Sequence, residues 1–299
     1  MAGSPSMGAF TGHYAGRLGN ACFALDGSSY APSANDGPHC LHGGLKGSRF
    51  RVFDAVQTSL ASIEMRCLFA DGEEGFSGAL ALKLSYRPLD SNELVLDHAA
   101  MALDRPTVAS FTSHAFFTLD GESSGSILGQ AVAIFADRHF GMTPGLVATG
   151  ELRPVDGTLL DLRQPVVLNR PIGDPADEPS PLSLLRKRLS GFDRCYLVNR
   201  ARAGDLALCA RIKAARGGRI MGVRSTEPAM QFYTGLHPAE WLPGDLGKGG
   251  KPYAQQIGLC LEPQSCPNAP NRPDFPSAVH LPGKSRGATT VYRFATEPD

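Results

Sequence analysis

The sequence predicts an all-β protein. Three observations lead to this prediction: apolar and polar residues alternate in short runs along the chain, turn-forming residues separate these runs, and helical periodicity is almost absent. Gly (34 residues) and Pro (23 residues) are plentiful, as short strands joined by tight turns require. The length of 299 residues allows one large core or two domains, and no repeat of fixed period divides the chain.

Turn signals place the strands in the first half of the chain. The pair Asp26-Gly27 predicts a hairpin over residues 23–30, because such turns favour residues that tolerate left-handed backbone. A loop with two histidines follows. Beyond it, alternation predicts strands over 50–60, 62–69, 79–86, 93–103 and 107–119.

The second half repeats this pattern with longer loops. Alternation predicts strands over 195–198, 206–214, 219–225, 231–234 and 289–294. Three further segments read differently: a polar, proline-rich loop or lid over 173–183, one or two helical turns over 184–189, and a glycine-rich loop over 241–251.

The stretch from Gln256 to Ser277 carries the most informative pattern. The two-residue period of a strand places Leu259 and Leu261 on one face and Glu262 on the other. Pro263 has no N–H to donate, so we expect the strand to end at Glu262 and a stiff, proline-rich loop to follow. A carboxylate held in this way suits a general base, although exposed strand-end glutamates are common in β proteins.

Composition argues against several kinds of partner. Lys plus Arg (29) balance Asp plus Glu (29) and no basic stripe appears, so we expect no nucleic-acid partner. The seven scattered cysteines lack a C-x-x-C motif and indicate reduced thiols, which predicts a cytoplasmic protein. No signal peptide is evident and no apolar run reaches membrane-spanning length, so we expect no membrane partner. The oligomeric state is not determined by the sequence.

Three histidines could carry chemistry. His114 lies within the predicted strand 107–119, where structural and catalytic roles are both compatible with the pattern. His39 and His42 could form a metal pair, but their spacing matches neither a zinc-finger half nor the H-E-x-x-H helix. The two glycines after His42 would let backbone approach a ligand closely.

Two further polar groups suit a carbohydrate. Asp193 and Gln231 offer a carboxylate and an amide, both of which can bind sugar hydroxyls. The glycine-rich segments show neither nucleotide-binding pattern, and no Gly-x-Ser-x-Gly elbow is present.

Taken together, these stretches resemble the aldose 1-epimerases, also called galactose mutarotases. The resemblance covers nearly the whole chain in order and rests on GAFTGHYAGR, FALDGSSY, HCLHGGLKG, DGEEGFSGAL, LSYRPLDSNEL, TSHAFFTL, PVDGTLLDLR, GFDRCYLV, TEPAMQFYTG and LEPQSCPNAPNRPDFPS. It implies a single domain over 1–299, a large antiparallel β-sandwich whose concave sheet holds a sugar, and no metal or organic cofactor. Typical members have N-terminal strands ahead of GAFTGHYAGR, which we expect to be missing here.

The resemblance also implies a reaction and its residues. Members interconvert the α and β anomers of a hexose such as galactose or glucose. Glu262 in LEPQ matches the general base of the family, and His114 in TSHAFF matches its general acid. The positions that match its sugar-binding groups are Arg17, His42, Asp193 and Gln231.

Some positions depart from the pattern of the family. These are Gly16 and Thr118, each in place of an Asn, Arg194 and Cys195 in place of His-Asn, and Pro263 in place of a Thr. The loss of two Asn side chains predicts weaker binding of free hexoses and a preference for a bulkier substrate.

Three alternatives therefore stay open. The first is an isomerase that uses the same Glu/His pair on a modified or non-sugar, hemiacetal-like substrate. The second is a hexose-phosphate epimerase, for which the candidate arginines are Arg17, Arg49 and Arg194. The third is a carbohydrate-binding β-sandwich without catalytic activity, which would not need an acid/base pair.

Overall fold

The computed structural model describes residues 6–122, 124–169, 191–235, 250, 253 and 256–297. These residues form 23 strands and four short 3₁₀ helices, at Gly19–Ala21, Ser48–Phe50, Glu73–Gly75 and Ala269–Asn271. In chain order the strands are β1 (Phe10–Thr11), β2 (Arg17–Leu18), β3 (Phe23–Leu25), β4 (Ser28–Tyr30), β5 (Cys40–Leu41), β6 (Asp54–Gln57), β7 (Ile63–Phe69), β8 (Leu80–Leu89), β9 (Glu93–Ala102), β10 (Thr107–Val108), β11 (Thr112–Ser113), β12 (Phe116–Phe117), β13 (Ala131–Ile134), β14 (Arg138–Met142), β15 (Ala148–Pro154), β16 (Val166–Val167), β17 (Asp193–Leu197), β18 (Ala207–Lys213), β19 (Arg219–Ser225), β20 (Ala229–Tyr233), β21 (Leu259–Gln264), β22 (Val279–His280) and β23 (Arg286–Thr296). The all-β prediction is confirmed. No helix in these ranges is long and apolar enough to cross a membrane.

Two large antiparallel sheets form the body of the protein. One has nine strands in the order β16-β13-β18-β19-β23-β9-β8-β7-β6, and the other has six in the order β12-β21-β20-β17-β14-β15. Alternate residues of both sheets meet in one buried cluster, which includes Phe232 and Leu261 from the smaller sheet and Met221, Val223 and Tyr292 from the larger. Burial of these side chains, at about 1.5–3 kcal/mol each, holds the sheets face to face.

The N-terminal segment covers the other face of the smaller sheet. Tyr14, Leu18 and Phe23 share a buried cluster with Cys195 and Cys266. The Tyr14 hydroxyl donates to the Cys266 carbonyl at 2.9 Å and accepts from the backbone N–H of Ala269 at 3.0 Å. This face of the small sheet therefore lies under loops from the first fifty residues.

Most predicted strands are confirmed, and the hairpin at Asp26-Gly27 forms between β3 and β4 with both residues in left-handed backbone. The single strand predicted over 107–119 is wrong. It divides into β10, β11 and β12, which pair with β22, β1 and β21 in turn. The alternation of apolar and polar residues indicates that a segment is extended, but it does not indicate which strand pairs with it. A segment that passes from one sheet to another therefore has the sequence pattern of a single strand. The predicted strand over 50–60 similarly shortens to β6, behind a 3₁₀ helix.

The strand that carries Glu262 ends two residues later than predicted. It runs from Leu259 to Gln264, through Pro263, which pairs with Met230. On the other side of the strand, β12 pairs with Leu259 and Cys260 and reaches no further. Beyond Cys260 the strand has one neighbour, and a proline is tolerated where no second neighbour needs its N–H. The segments 173–183 and 184–189 lie outside the described residues, as does 241–251 apart from Gly250.

Candidate active site

Three strands of the smaller sheet supply the floor of the site. Glu262 on β21 lies directly opposite Gln231 on β20, and Asp193 begins the next strand, β17. The Gln231 amide donates to the Asp193 carboxylate at 2.5 Å. Because Leu261 points into the core between the sheets, the strand period turns Glu262 to the opposite face, as predicted.

His114 stands beside Glu262 at the point where β11 gives way to β12. Its Nε2 lies 3.6 Å from Glu262 Oε1, and both residues are buried, with 8% and 2% of their surface exposed. The backbone of His114 is held on both sides, since its N–H donates to Ala9 and its carbonyl accepts from Gly8. The imidazole ring stacks on Phe116 at 5.4 Å.

His42 enters the site from the N-terminal segment, and its ring centre lies 5.4 Å from that of His114. Gly16 holds it through two hydrogen bonds. The Gly16 N–H donates to Nδ1 of the ring at 3.2 Å, and the Gly16 carbonyl accepts from the His42 N–H at 3.1 Å. Because Nδ1 accepts, the proton of the neutral ring lies on Nε2, which makes His42 a hydrogen-bond donor toward the site.

The glycine after His42 serves the fold. Gly43 has φ +82°, and a Cβ added there would meet the backbone nitrogen of His13 at 2.2 Å. Because Gly43 has no side chain, the backbone of this turn can pack directly against the backbone of residues 12 and 13. We expected these glycines to let backbone approach a ligand, but Gly43 instead allows close packing within the protein.

Arg17 lies next to His42 because β2 pairs with β5, where Arg17 stands opposite Leu41. Its Nε donates to the Asp36 carboxylate at 2.6 Å, and its side chain is 19% exposed. The ion pair fixes the guanidinium and offsets part of its charge.

Burial sets the protonation of the central groups. It raises the pKa of Glu262 well above 4.5; the neighbouring Asp193 carboxylate raises it further, while Arg17 lowers it. Burial lowers the pKa of His114 to about 4, and the charge of Arg49 contributes to the lowering. The pKa of His42 is lowered well below 6.5 by burial and then by His114, Arg49 and Arg17. Low-dielectric surroundings thus favour neutral forms of all three.

A family model described as aldose 1-epimerase matches residues 1–293 of the 299. The chain belongs to the aldose 1-epimerase family. Membership confirms the predicted class of enzyme, an isomerase that interconverts sugar anomers.

Relatives and solved structures agree with this membership. The chain is 36% identical to a galactose mutarotase of Sus scrofa, over 97% of this chain and 79% of that protein. It is 29% identical to an aldose 1-epimerase of Escherichia coli, over 97% of this chain and 80% of that protein. The crystal structure of an aldose epimerase homologue from C. elegans superimposes with a TM-score of 0.85 at 25% identity, over 99% of this chain and 84% of that one. The predicted mutarotase-like fold is confirmed.

Among the described residues, one group has the composition of a metal site. His42, His114 and Glu262 each offer a ligand atom within 4.8 Å of the others. A metal-bound histidine normally donates its second ring N–H to an acceptor. At His42 the second nitrogen instead accepts from Gly16, which puts the proton on the nitrogen that a metal would need. The group therefore fits hydroxyls better than a cation. His39 takes no part, since its Nδ1 accepts from the Asn20 N–H at an exposed position.

The positions that depart from the family pattern separate into two groups. Gly16 lies at the site, where a Cβ would meet the Gln264 amide at 3.3 Å. Arg194 and Pro263 lie opposite Phe232 and Met230 on the face toward the larger sheet, so neither lies on the face that carries Glu262. Thr118 accepts a hydrogen bond from the buried Gln130 at 3.0 Å. Cys195, the fifth position, is buried opposite Gln231 and so faces the site with Glu262, as Gly16 does.

Sequence reasoning missed three side chains around the site. Cys260 lies two residues before Glu262, with its Sγ 3.5 Å from Nδ1 of His114. Gln264 lies two residues after Glu262, buried, with an Oε1 atom that has no partner among the described residues. The strand period could have identified both. Arg49, which influences both histidines, was considered only as a possible phosphate ligand.

A second glutamate–histidine pair lies away from this site. His98 Nε2 and Glu227 Oε1 are 3.7 Å apart, and they line a cavity of about 850 Å³ at the corner between β19 and β20. Burial raises the pKa of Glu227 to about 7. None of the six predicted site residues lines this cavity. The His98–Glu227 pair therefore serves as a control for the roles that the family resemblance assigns to Glu262 and His114.

Proposed function

We propose that Glu262 and His114 are the general base and general acid of an aldose 1-epimerase. The observation that carries the proposal is the buried carboxylate–imidazole pair, 3.6 Å apart, on the sheet face that also presents Asp193 and Gln231. A hemiacetal needs one group to take the C1 hydroxyl proton and another to protonate the ring oxygen. The two side chains supply both functions, each worth about 10²–10⁴-fold in rate.

The reaction proceeds through an open-chain sugar. Glu262 removes the proton from the C1 hydroxyl, the bond between C1 and the ring oxygen breaks, and His114 protonates that oxygen. Rotation about the C1–C2 bond presents the other face of the aldehyde. On closure His114 takes the proton back and Glu262 returns one to the new C1 hydroxyl, so atoms and protons balance over the cycle.

The buried pair can reach its working state without solvent. A protonated Glu262 beside a neutral His114 holds the same number of protons as a carboxylate beside an imidazolium. The two states differ by one proton moved within the pair, which titrates as a unit. The sugar hydroxyls that enter the site stabilise the charged arrangement.

The remaining groups orient the sugar. His42 donates through Nε2, Arg17 donates through its guanidinium, and Asp193 accepts. Fixed orientation keeps the reacting atoms aligned with the acid and the base.

Polarimetry tests the proposal. Freshly dissolved α-galactose and α-glucose should approach anomeric equilibrium faster with the protein than without it. A folded protein that accelerates neither sugar, nor any other α-aldose of a panel, would contradict the proposal.

A further inference from the structure

We propose that the cavity at the corner between β19 and β20 binds a small anion, a carboxylate or a phosphate, through Arg200 and Arg286. The cavity has a volume of about 850 Å³, within the range of roughly 300–1,000 Å³ that is typical of ligand pockets. None of the six predicted site residues lines it, so the inference concerns a second site and goes beyond the proposed function.

Segments that lie far apart in the sequence build this cavity. Glu227 belongs to the turn between β19 and β20, and His98 on β9 places its Nε2 3.7 Å from Glu227 Oε1. Arg200 lines the cavity from the loop after β17, and Arg286 lines it from the first residue of β23. Both guanidinium groups lower the pKa of Glu227, which burial raises. The two arginines therefore lie near the same buried carboxyl group.

The arginines of the lining have no close counter-charge. Among the described residues, no carboxylate lies within 4.0 Å of the guanidinium of Arg138, Arg200 or Arg286. The Nη1 and Nη2 atoms of Arg200 donate to three backbone carbonyls, which orient its guanidinium without neutralising it. Its Nε is buried and has no partner in the same part of the chain. A charge held in this way favours an ionic partner.

The acidic groups of the lining do not supply that partner. Asp97 accepts from Arg87 at 2.8 Å, and Asp137 lies 3.5 Å from Arg163, so each pairs with an arginine outside the lining. Burial raises the pKa of Glu227 to about 7, so much of this carboxyl is neutral at physiological pH. The cavity therefore carries an excess of positive charge, which concentrates anions.

Glu227 links the binding of an anion to pH. In its protonated form the carboxyl is a hydrogen-bond donor, and it adds to the guanidinium N–H groups that bind a carboxylate or a phosphate. In its ionised form it repels an anion and offsets the charge of the two arginines itself. Binding should therefore weaken as the pH rises through about 7.

The groups around Glu227 keep their charge over this pH range. Burial, followed by His280, lowers the pKa of His98 to about 4, and burial also lowers the pKa of His280. The other charged or titratable side chains coupled to this pair are Arg200, Arg286, Asp97, Tyr14 and Cys266. Burial raises the pKa of both Tyr14 and Cys266, so neither titrates near neutral pH. Glu227 is the member of this set that changes charge between pH 6.5 and pH 8.5.

Isothermal titration calorimetry with the full chain tests the inference. Succinate represents a carboxylate ligand, and inorganic phosphate represents a phosphate ester. Each is added at pH 6.5 and constant ionic strength, with galactose in excess so that the sugar site does not contribute. We expect saturable binding of at least one anion with a Kd below ~1 mM, the upper end of the common range for metabolites. The anion that binds more tightly identifies the chemical source.

Three variants locate the binding in this cavity. Arg286→Met removes the charge of an exposed side chain and should weaken binding at least tenfold, while Arg286→Lys keeps a charge and should weaken it less. Arg66→Met removes a cation from an exposed ion pair on β7 and, as the matched control, should leave the Kd unchanged.

A pH series tests the role of Glu227. From pH 6.5 to pH 8.5 the Kd of the wild type for succinate should rise at least about fivefold, because the fraction of protein with a neutral Glu227 falls. Glu227→Gln cannot ionise at this position and should show the same Kd at both pH values.

Each outcome decides the inference separately from the proposed function. If neither anion binds the wild type with a Kd below ~1 mM, the inference fails, whatever the polarimetric rate. Equal binding by wild type and Arg286→Met would place the anion elsewhere and overturn it. An equal rise of Kd with pH in wild type and Glu227→Gln would overturn it as well. Should Arg286→Met not fold, the comparison of wild type with Glu227→Gln decides.

Discussion

Glu262 Oε1 and His114 Nε2 lie 3.6 Å apart in a buried setting. The separation is too long for a strong hydrogen bond and short enough for each group to influence the proton of the other. In the proposed mechanism, a sugar that reaches both atoms exchanges one proton with each.

Replacement of the acid should slow the reaction strongly. We expect His114→Asn to lower kcat by at least about 10²-fold, the lower range for one general acid/base group, because the amide cannot protonate the ring oxygen. Polarimetry on α-galactose gives the rate, and a thermal melt confirms the fold. A rate within a few-fold of wild type would mean that another group protonates the ring oxygen.

Chelation should leave the activity intact. The tautomer of His42 imposed by Gly16 disfavours a metal at the group formed with His114 and Glu262. We therefore expect the same polarimetric rate before and after dialysis against EDTA. Loss of activity that one added metal restores would contradict this prediction.

Restoration of an asparagine at position 16 should improve binding of a simple hexose. The backbone there is left-handed, with φ +75°, a conformation that Asn tolerates better than most residues. One regained hydrogen bond, worth roughly 0.5–1.5 kcal/mol, should lower KM for galactose about two- to tenfold. Gly16→Ala is the matched control, because it adds the same backbone strain without the amide. An equal change in KM for both variants would remove the amide from the explanation.

The stability of the protein in acid depends on a buried histidine outside the proposed catalytic pair, His13. Burial, followed by the charge of His280, lowers the pKa of His13 to about 3 in the folded protein, against 6.5 for the free side chain. Between these values the unfolded chain binds the extra proton and the folded chain does not, so His13 costs stability as pH falls below 6.5. From pH 7.5 to pH 5 this loss is about 2 kcal/mol.

His13→Gln removes this titration. Relative to wild type, the free energy of unfolding of the variant should therefore rise by about 2 kcal/mol between pH 7.5 and pH 5. Urea unfolding at the two pH values measures the difference. The same stability difference at both would show that His13 protonates freely in the folded state.

The faces of individual strands could be predicted from the sequence, because they depend on neighbours along the chain. Leu261 and Glu262 point to opposite sides of β21 as the two-residue period requires. The end of β21 could not be predicted from the sequence. The strand can continue through Pro263 because its neighbour β12 ends before that point, and β12 lies far away in the sequence.

Side chains on loops were harder to place than those on strands. His39 and His42 are three residues apart, yet His42 enters the site and His39 bonds to Asn20. The left-handed backbone of His42 and its two hydrogen bonds to Gly16 make the difference. The residues next to His42 in the sequence do not indicate a contact with Gly16, which lies 26 residues earlier. The same reason applies to Arg49, which is positioned in part by Ser6, 43 residues earlier.

The initial polarimetric rate of Glu262→Gln on fresh α-D-galactose tests the central claim most directly. The amide has the shape of the carboxylate but cannot take the C1 proton, so we expect kcat to fall by at least about 10²-fold with the melting temperature preserved. Glu227→Gln makes the same change in the other buried glutamate–histidine pair and should retain the wild-type rate. A Glu262→Gln protein with near wild-type turnover, or a Glu227→Gln protein that is folded but inactive, would contradict the assignment of the catalytic base.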